Sequence, residues 1–180
     1  MTETQLRGAK DFMTARCSIC HNGSTFSDGK FHNVVVPQVG PGKGDGLNGK
    51  DDFGRMRETG LAADRYAFRT PALRNVELTG PYGHDGAFPD LRAFVDHYSE
   101  SELKLRNFST ATLEPLLQST LVPNADALLA TRDTLLRGVV FPDETINEVT
   151  AFMLALTDPA ARDLSRVVPS RVPSGLSIDH

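Results

Sequence analysis

Two cysteines stand three positions apart, and a histidine follows the second: Cys17-Ser18-Ile19-Cys20-His21. That is the spacing of c-type haem attachment. Thiols placed this way on a turn can each add to one vinyl group of a haem, and the adjoining imidazole can then bind the iron. The same pair also admits a redox-active dithiol, half of a zinc site, or a structural disulfide. A thioredoxin-type dithiol needs a βαβ setting that the flanking residues lack. A four-ligand zinc site needs two more donors, and the remaining histidines are His32, His84, His97 and His180. Haem attachment is the reading the pattern favours.

Spacing does not fix the second axial ligand, because methionine, histidine, tyrosine, water or nothing are all used. Met56, His84, His97, Tyr98 and Met153 are the candidates. Met153 falls on an apolar helical stripe, and Tyr98 shares a face with Leu91, Phe94 and Val95, so periodicity alone puts both in the core. Arg69 and Arg74 flank Thr70-Pro71 in an otherwise apolar stretch. Guanidinium groups there can pair with haem propionates through bidentate hydrogen bonds, with ordinary surface arginines as an equal alternative. Asp45, Asn48, Asp51 and Asp52 do not fit the spacing of an EF-hand loop and read as a solvated turn.

The elements that must position these residues are mainly helical. Residues 3–16 carry Leu6, Ala9 and Met13 at steps of three and four behind a capping box of Thr2 and Gln5. Helices are also expected over 89–98, 110–118, 125–138 (closed by Gly138) and 143–156. From Asn22 to Gly60 nine glycines crowd a polar segment, broken only by Val34-Val35-Val36. This predicts a long ordered loop with at most a short β ribbon. Such a loop in a compact domain is unusual unless it wraps something that repays its ordering entropy. The 180 residues suffice for one domain with its own core. A net charge of −4 argues against nucleic acid, and no apolar run is long enough to span a bilayer.

The chain resembles a known family over nearly its whole length. The segments carrying the resemblance run from Phe68-Arg69-Thr70-Pro71-Ala72-Leu73-Arg74-Asn75-Val76, through Thr79-Gly80-Pro81-Tyr82-Gly83-His84-Asp85-Gly86, to Val95-Asp96-His97-Tyr98. Phe26 to Val34 and Leu154 to Pro159 match as well. Together they resemble the C-terminal haem domain of the bacterial di-haem cytochrome c peroxidases, in the branch that contains the methylamine-utilisation protein MauG.

The resemblance implies an all-α, cytochrome c-like fold with long glycine-rich loops, holding one covalent haem c over residues 1–157, with 158–180 as an extended surface tail. It implies Tyr98 as the distal iron ligand, overriding its core assignment, and places His84 near the haem edge with no catalytic role assigned. It further implies backbone calcium ligands at Thr79 and Pro81, with a third ligand, an asparagine, on another domain. The expected partners are an N-terminal peroxidatic haem domain, hydrogen peroxide acting there, and a small cytochrome or other protein as electron donor. The expected location is the periplasm, although Met1 to Gln5 lack the positive start and apolar stretch of an export signal, as expected of a fragment. A stand-alone mono-haem electron carrier is the alternative, and an open sixth position that binds small ligands is a third reading.

Overall fold

The computed structural model describes residues 1–165, 167–169 and 171–176; His180 lies outside them. Helix α1 (Glu3–Thr14) opens on the expected capping box: Gln5 N donates to Thr2 Oγ1 at 3.3 Å, and Thr2 N donates to Gln5 Oε1 at 2.7 Å. Gly8 and Phe12 form its buried face and lie against the last helix, α7 (Asp143–Leu154). Arg7 seals the crossing through an ion pair with Glu148 of α7. Arg16, in a left-handed conformation at φ 70, turns the chain into the single helical turn α2 (Cys17–Cys20).

Two short helices sit inside or just after loops where none was expected, α3 (Met56–Thr59) and α5 (Ser101–Arg106). Between them, α4 (Leu91–His97) is started by Asp90, whose side chain accepts from Ala93 N, and packs on α7. The expected helix over 110–118 is reduced to a 3-10 turn at Thr110–Thr112. Pro115 accounts for the loss, since the residue before a proline is pushed out of helical geometry. The expected helix over 125–138 also breaks into α6 (Ala125–Ala130) and a 3-10 turn at Thr134–Leu136. Asp133 breaks it: its N–H donates to Asn33 O at 3.0 Å and its carboxylate caps Leu135 N at 2.9 Å. Beyond α7, a 3-10 turn at Pro159–Arg162 is held to Glu77 by Arg162 at 2.6 Å.

The long glycine-rich loop is ordered by buried amides. Asn33 donates to Leu128 O at 2.8 Å and accepts from Val35 N at 2.9 Å, which pins the loop onto α6. Gln38 donates to Asp52 O at 2.7 Å and accepts from Asp52 N at 3.1 Å, closing the loop on itself. Two side chains thus satisfy backbone groups that no ladder reaches. The only ribbon among the described residues pairs β1 (Phe31–His32) antiparallel with β2 (Phe68–Arg69), in the register Phe31 to Arg69 and His32 to Phe68. The chain is mostly helical with this one small sheet, and no described helix is long and apolar enough to cross a membrane.

Three apolar clusters make up the interior. The largest joins Phe12 of α1, Leu91 and Val95 of α4, and Ile146, Val149 and Phe152 of α7. Gly8 allows α1 that close to α7, because a Cβ there would stand 1.8 Å from Glu148 O. Alanine normally stabilises a helix interior relative to glycine. Here the sign reverses: Gly8→Ala is expected to cost about 1–3 kcal/mol through overpacking, lowering Tm by roughly 2–4 °C per kcal/mol. Thermal unfolding of the variant checks this, and an unchanged or raised Tm would contradict the crossing.

Candidate functional site

Residues from both ends and the middle of the chain surround one cavity of about 480 Å³. Its floor is apolar, with Phe12, Val36, Leu73, Val76, Phe94 and Val149 among the lining residues. The volume falls in the range of small-molecule and cofactor sites, roughly 300–1,000 Å³. Cys17, Cys20 and His21 line it together. Their helical turn closes with His21 N donating to Cys17 O at 2.9 Å, so the two thiols and the imidazole are held as a unit.

The His21 ring is oriented by its own loop. Nδ1 lies 2.9 Å from Phe26 O, and a carbonyl can only accept, so Nδ1 carries the hydrogen and Nε2 keeps its lone pair. Burial pushes the His21 pKa down, which favours the neutral, ligating form. This arrangement, with one ring nitrogen tied to a backbone carbonyl and the other free, is how metal-binding histidines are usually oriented.

The competing readings of the cysteine pair find little support. A group formed by Cys20, Asp28 and His32 brings three donor atoms within 4.8 Å of one another, but Cys17 and His21 are not part of it. Both ring nitrogens of His32 are already engaged, Nδ1 with Asp133 at 2.6 Å and Nε2 with Asp28 at 3.1 Å. No four-ligand zinc set exists among the described residues. Both sulfurs are free thiols, half-buried at the cavity wall rather than bridged.

Of the five candidate distal ligands, Tyr98, His84 and Met153 line the cavity, while Met56 and His97 do not. His97 turns away because its Nε2 bonds to Val34 O at 3.0 Å, and burial pushes its pKa down to about 4. Met153 sits in the main apolar cluster at 8% exposure, as its helical stripe predicted. Tyr98 differs from a core tyrosine in that its hydroxyl has no hydrogen-bond partner among the described residues. Burial, then the nearby Cys17 and Cys20 sulfurs, push the Tyr98 phenol well above its ordinary range. His84 stacks on Phe68 at 3.7 Å with its Nδ1 buried and unpartnered.

Arg69 lies at the cavity rim, but Arg74 does not reach it, because it falls on the exposed side of the turn leading to Val76. Arg16, which sequence reasoning passed over, stands at the rim instead; its only signal was its place next to Cys17. Thr79 and Pro81 also line the cavity. The acidic turn is less solvated than expected: Asp51 is 8% exposed and accepts from the Tyr66 hydroxyl at 2.6 Å, while Asp45 pairs with Arg57 at 2.7 Å.

The site therefore offers a large apolar slot, two thiols, a cationic rim and, with no partner among the described residues, one imidazole nitrogen and one phenol. Those donors fit a flat, apolar, iron-containing macrocycle with anionic side groups. Burial pushes both cysteine thiols up to about 11. Before anything is attached to the sulfurs, little thiolate forms near neutrality, so alkylation of the unmodified chain at pH 8 is expected to run about a hundredfold slower than for a free cysteine. Mass spectrometry over time measures this, and rapid double labelling would show that the thiols are not held in this wall.

No protein-family model matches the chain. It is similar to methylamine utilization protein MauG of Methylorubrum extorquens, at 38% identity over 86 residues, covering 47% of this chain and 21% of that protein. The MauG of Paracoccus denitrificans matches at 28% identity over 82% of this chain and 40% of its own length. Cytochrome c551 peroxidase of Nitrosomonas europaea matches at 33% identity over 57% of this chain and 29% of that protein. Among solved structures, a MauG-like protein associated with microbial copper homeostasis shares the fold at a TM-score of 0.64 and 24% identity, covering 89% of this chain and 48% of its own. This chain thus spans well under half the length of the curated relatives it matches, on their C-terminal side. Over these stretches it is similar to the C-terminal part of MauG and of the bacterial cytochrome c peroxidases.

Proposed function

We propose that the chain is the C-terminal, cytochrome c-like haem domain of a di-haem oxidoreductase, with residues 1–157 forming the domain; the tail expected at 158–180 lies partly outside the described residues. The observation that carries this reading is the wall of Cys17, Cys20 and His21, with His21 Nε2 left free beside two thiols on an apolar slot. Cys17 and Cys20 would hold the haem by adding their S–H across its two vinyl groups, sulfur to one carbon and hydrogen to the other, which needs no oxidant. When bound, the haem supplies an iron centre that changes oxidation state by single electrons.

The residues of the chain set what that centre does. His21 Nε2 is the proximal donor, and its Nδ1 hydrogen bond to Phe26 O raises its basicity. Tyr98 is the distal donor in this reading. Its phenol must give up its proton to ligate, and the charge of a bound metal offsets the burial that otherwise holds the proton in place. A phenolate favours oxidised iron more than a thioether does, which suits a store of oxidising equivalents. Arg69 and Arg16 at the rim match the anionic propionates. His84 flanks the slot without an assigned catalytic role.

With His21 and Tyr98 both able to hold the iron, the domain would receive, store and pass electrons, while peroxide would be reduced on a partner domain and a small cytochrome or protein donor would supply the electrons. Thr79 and Pro81 would contribute backbone oxygens to calcium only when that partner domain completes the site. The periplasm, where bacterial haem c is matured, is the compartment this reading requires.

Co-expression with a bacterial haem-ligation system tests the attachment. The denatured polypeptide is expected to gain the mass of one haem and keep a Soret band, and Cys17→Ala with Cys20→Ala to abolish both. A bare polypeptide mass would end the reading. Tyr98→Phe is expected to keep the covalent haem but change the visible spectrum and raise the midpoint potential; an unchanged spectrum removes Tyr98 from the iron. Stopped-flow mixing of the isolated chain with hydrogen peroxide is expected to leave the haem intact. Rapid bleaching would instead indicate an open catalytic position.

A further inference from the structure

One polar residue of the cavity wall has no part in holding haem. Tyr66 lines the cavity and is 1% exposed. It sits at φ 60, a left-handed conformation that costs a bulky residue about 1–3 kcal/mol and persists only where the surroundings impose it. Its hydroxyl donates to Asp51 Oδ2 at 2.6 Å and accepts from Arg65 Nη2 at 2.9 Å. The Arg65 guanidinium also lies over the rings of Phe53 at 4.1 Å and Tyr66 at 4.8 Å, and Phe53 meets Tyr66 edge-on at 5.6 Å.

The chain has three tyrosines and no tryptophan, so few side chains can lose an electron. Removing one electron from a phenol turns a weak acid into a strong one, and the step is accessible only if the proton has somewhere to go. Tyr82 donates to the backbone carbonyl of Val76 at 3.0 Å, and an amide oxygen is too weak a base to take the proton. Tyr98 is the iron's own donor in the haem reading, so it belongs to the centre that must be re-reduced and offers no separate exit. Among the described residues Tyr66 is the one tyrosine that pairs with a carboxylate, and the Asp51 side chain keeps an accessible edge of 12% through which a proton can exchange with water.

We propose that Tyr66 is a one-electron relay of the cavity wall, giving an electron to the haem and its proton to Asp51. The inference rests on the haem reading above. In the forward step, Tyr66 would donate one electron to this haem after the partner domain's haem, oxidised by a peroxide, has drawn an electron from it and left it above its resting oxidation level. The phenolic O–H breaks with its proton passing to Asp51 Oδ2, which leaves a neutral tyrosyl radical and a haem one level lower. In the return step, an external one-electron donor reduces the radical and Asp51 gives the proton back. The wall thereby gains an exit for oxidising equivalents that leaves the axial ligands untouched.

The test uses the haem-loaded chain and a photogenerated ruthenium(III) tris-bipyridine complex as the outside oxidant, read by optical absorption and freeze-quench electron paramagnetic resonance. The haem is expected to be oxidised first, and a neutral tyrosyl signal to grow as it recovers. Tyr66→Phe should abolish the signal and Tyr82→Phe retain it. Asp51→Asn still offers an oxygen to the hydroxyl but cannot take the proton, and should lower the radical yield by about tenfold or more. If Tyr66→Phe does not fold, slower radical formation by the wild-type chain in heavy water, together with Asp51→Asn, decides the matter. A signal that survives Tyr66→Phe, an oxidised haem that recovers with no radical, or indifference to both Asp51→Asn and heavy water overturns the relay. A chain without a Soret band fails the haem reading itself, and the relay falls with it.

Discussion

The interior of a folded chain is close-packed, and the governing constraint here is that segments from residue 12 to residue 153 stand around one space that their own side chains do not fill. An apolar void on this scale is unfavourable by itself, because every wall atom forgoes dispersion contacts on one side. Helices α1, α4 and α7 could pack together with shorter links. Instead, a glycine-rich loop of nearly forty residues is held around the far side by Asn33 and Gln38. Ordering that much chain is worthwhile only if a large apolar group completes the core.

The polar groups around the slot follow from the same constraint. Each is either neutralised where it sits or turned toward the slot with something left to bond. His32 belongs to the first kind: burial disfavours its cation, but bonds to Asp133 and Asp28 outweigh that and push its pKa up. As the pH rises through that raised value the imidazolium is lost, and with it the charge that holds 131–138 against the loop after His21. His21 belongs to the second kind, with one nitrogen committed to Phe26 O and the other free. Two histidines eleven residues apart are thereby driven toward opposite protonation states, one suited to clamping loops and one to ligating a metal.

Much of this was legible in the sequence, and the illegible parts share a cause. The capping box of Thr2 and Gln5 and the stripe of α7 are local, and local spacing reports them faithfully; Cys17, Cys20 and His21 share one cavity wall for the same reason. The helices expected over 110–118 and 125–138 failed at Pro115 and Asp133. Pro115 was readable as a breaker, whereas Asp133 was not, since its partners His32 and Asn33 lie about a hundred residues away in the chain. Among the candidates left open, Arg74 and His97 do not line the cavity, for a related reason. Residue type and position along the chain made both candidates, but which way His97 turns depends on a backbone carbonyl, Val34 O, that no motif reveals. Asp51 looked like part of a solvated turn because nothing in Asp45 to Asp52 announces Tyr66.

The three tyrosines carry this distinction to its end. Residue type gives each the same phenol, and the sequence alone cannot rank them. Surroundings separate them: Tyr82 is tied to the backbone and braces the turn before α4, Tyr98 has its hydroxyl on the slot with no partner among the described residues, and Tyr66 shares its proton with a carboxylate. Burial raises the pKa of all three, and at Tyr66, where it is pushed to about 12, the bond to Asp51 adds to the shift. None of them therefore ionises near neutrality by itself. What each can do depends on what meets its oxygen: a backbone carbonyl leaves it structural, a metal in the slot can displace its proton, and a basic oxygen lets proton and electron leave together. A wall that holds all three arrangements separates bracing, ligation and electron exit among residues of one kind.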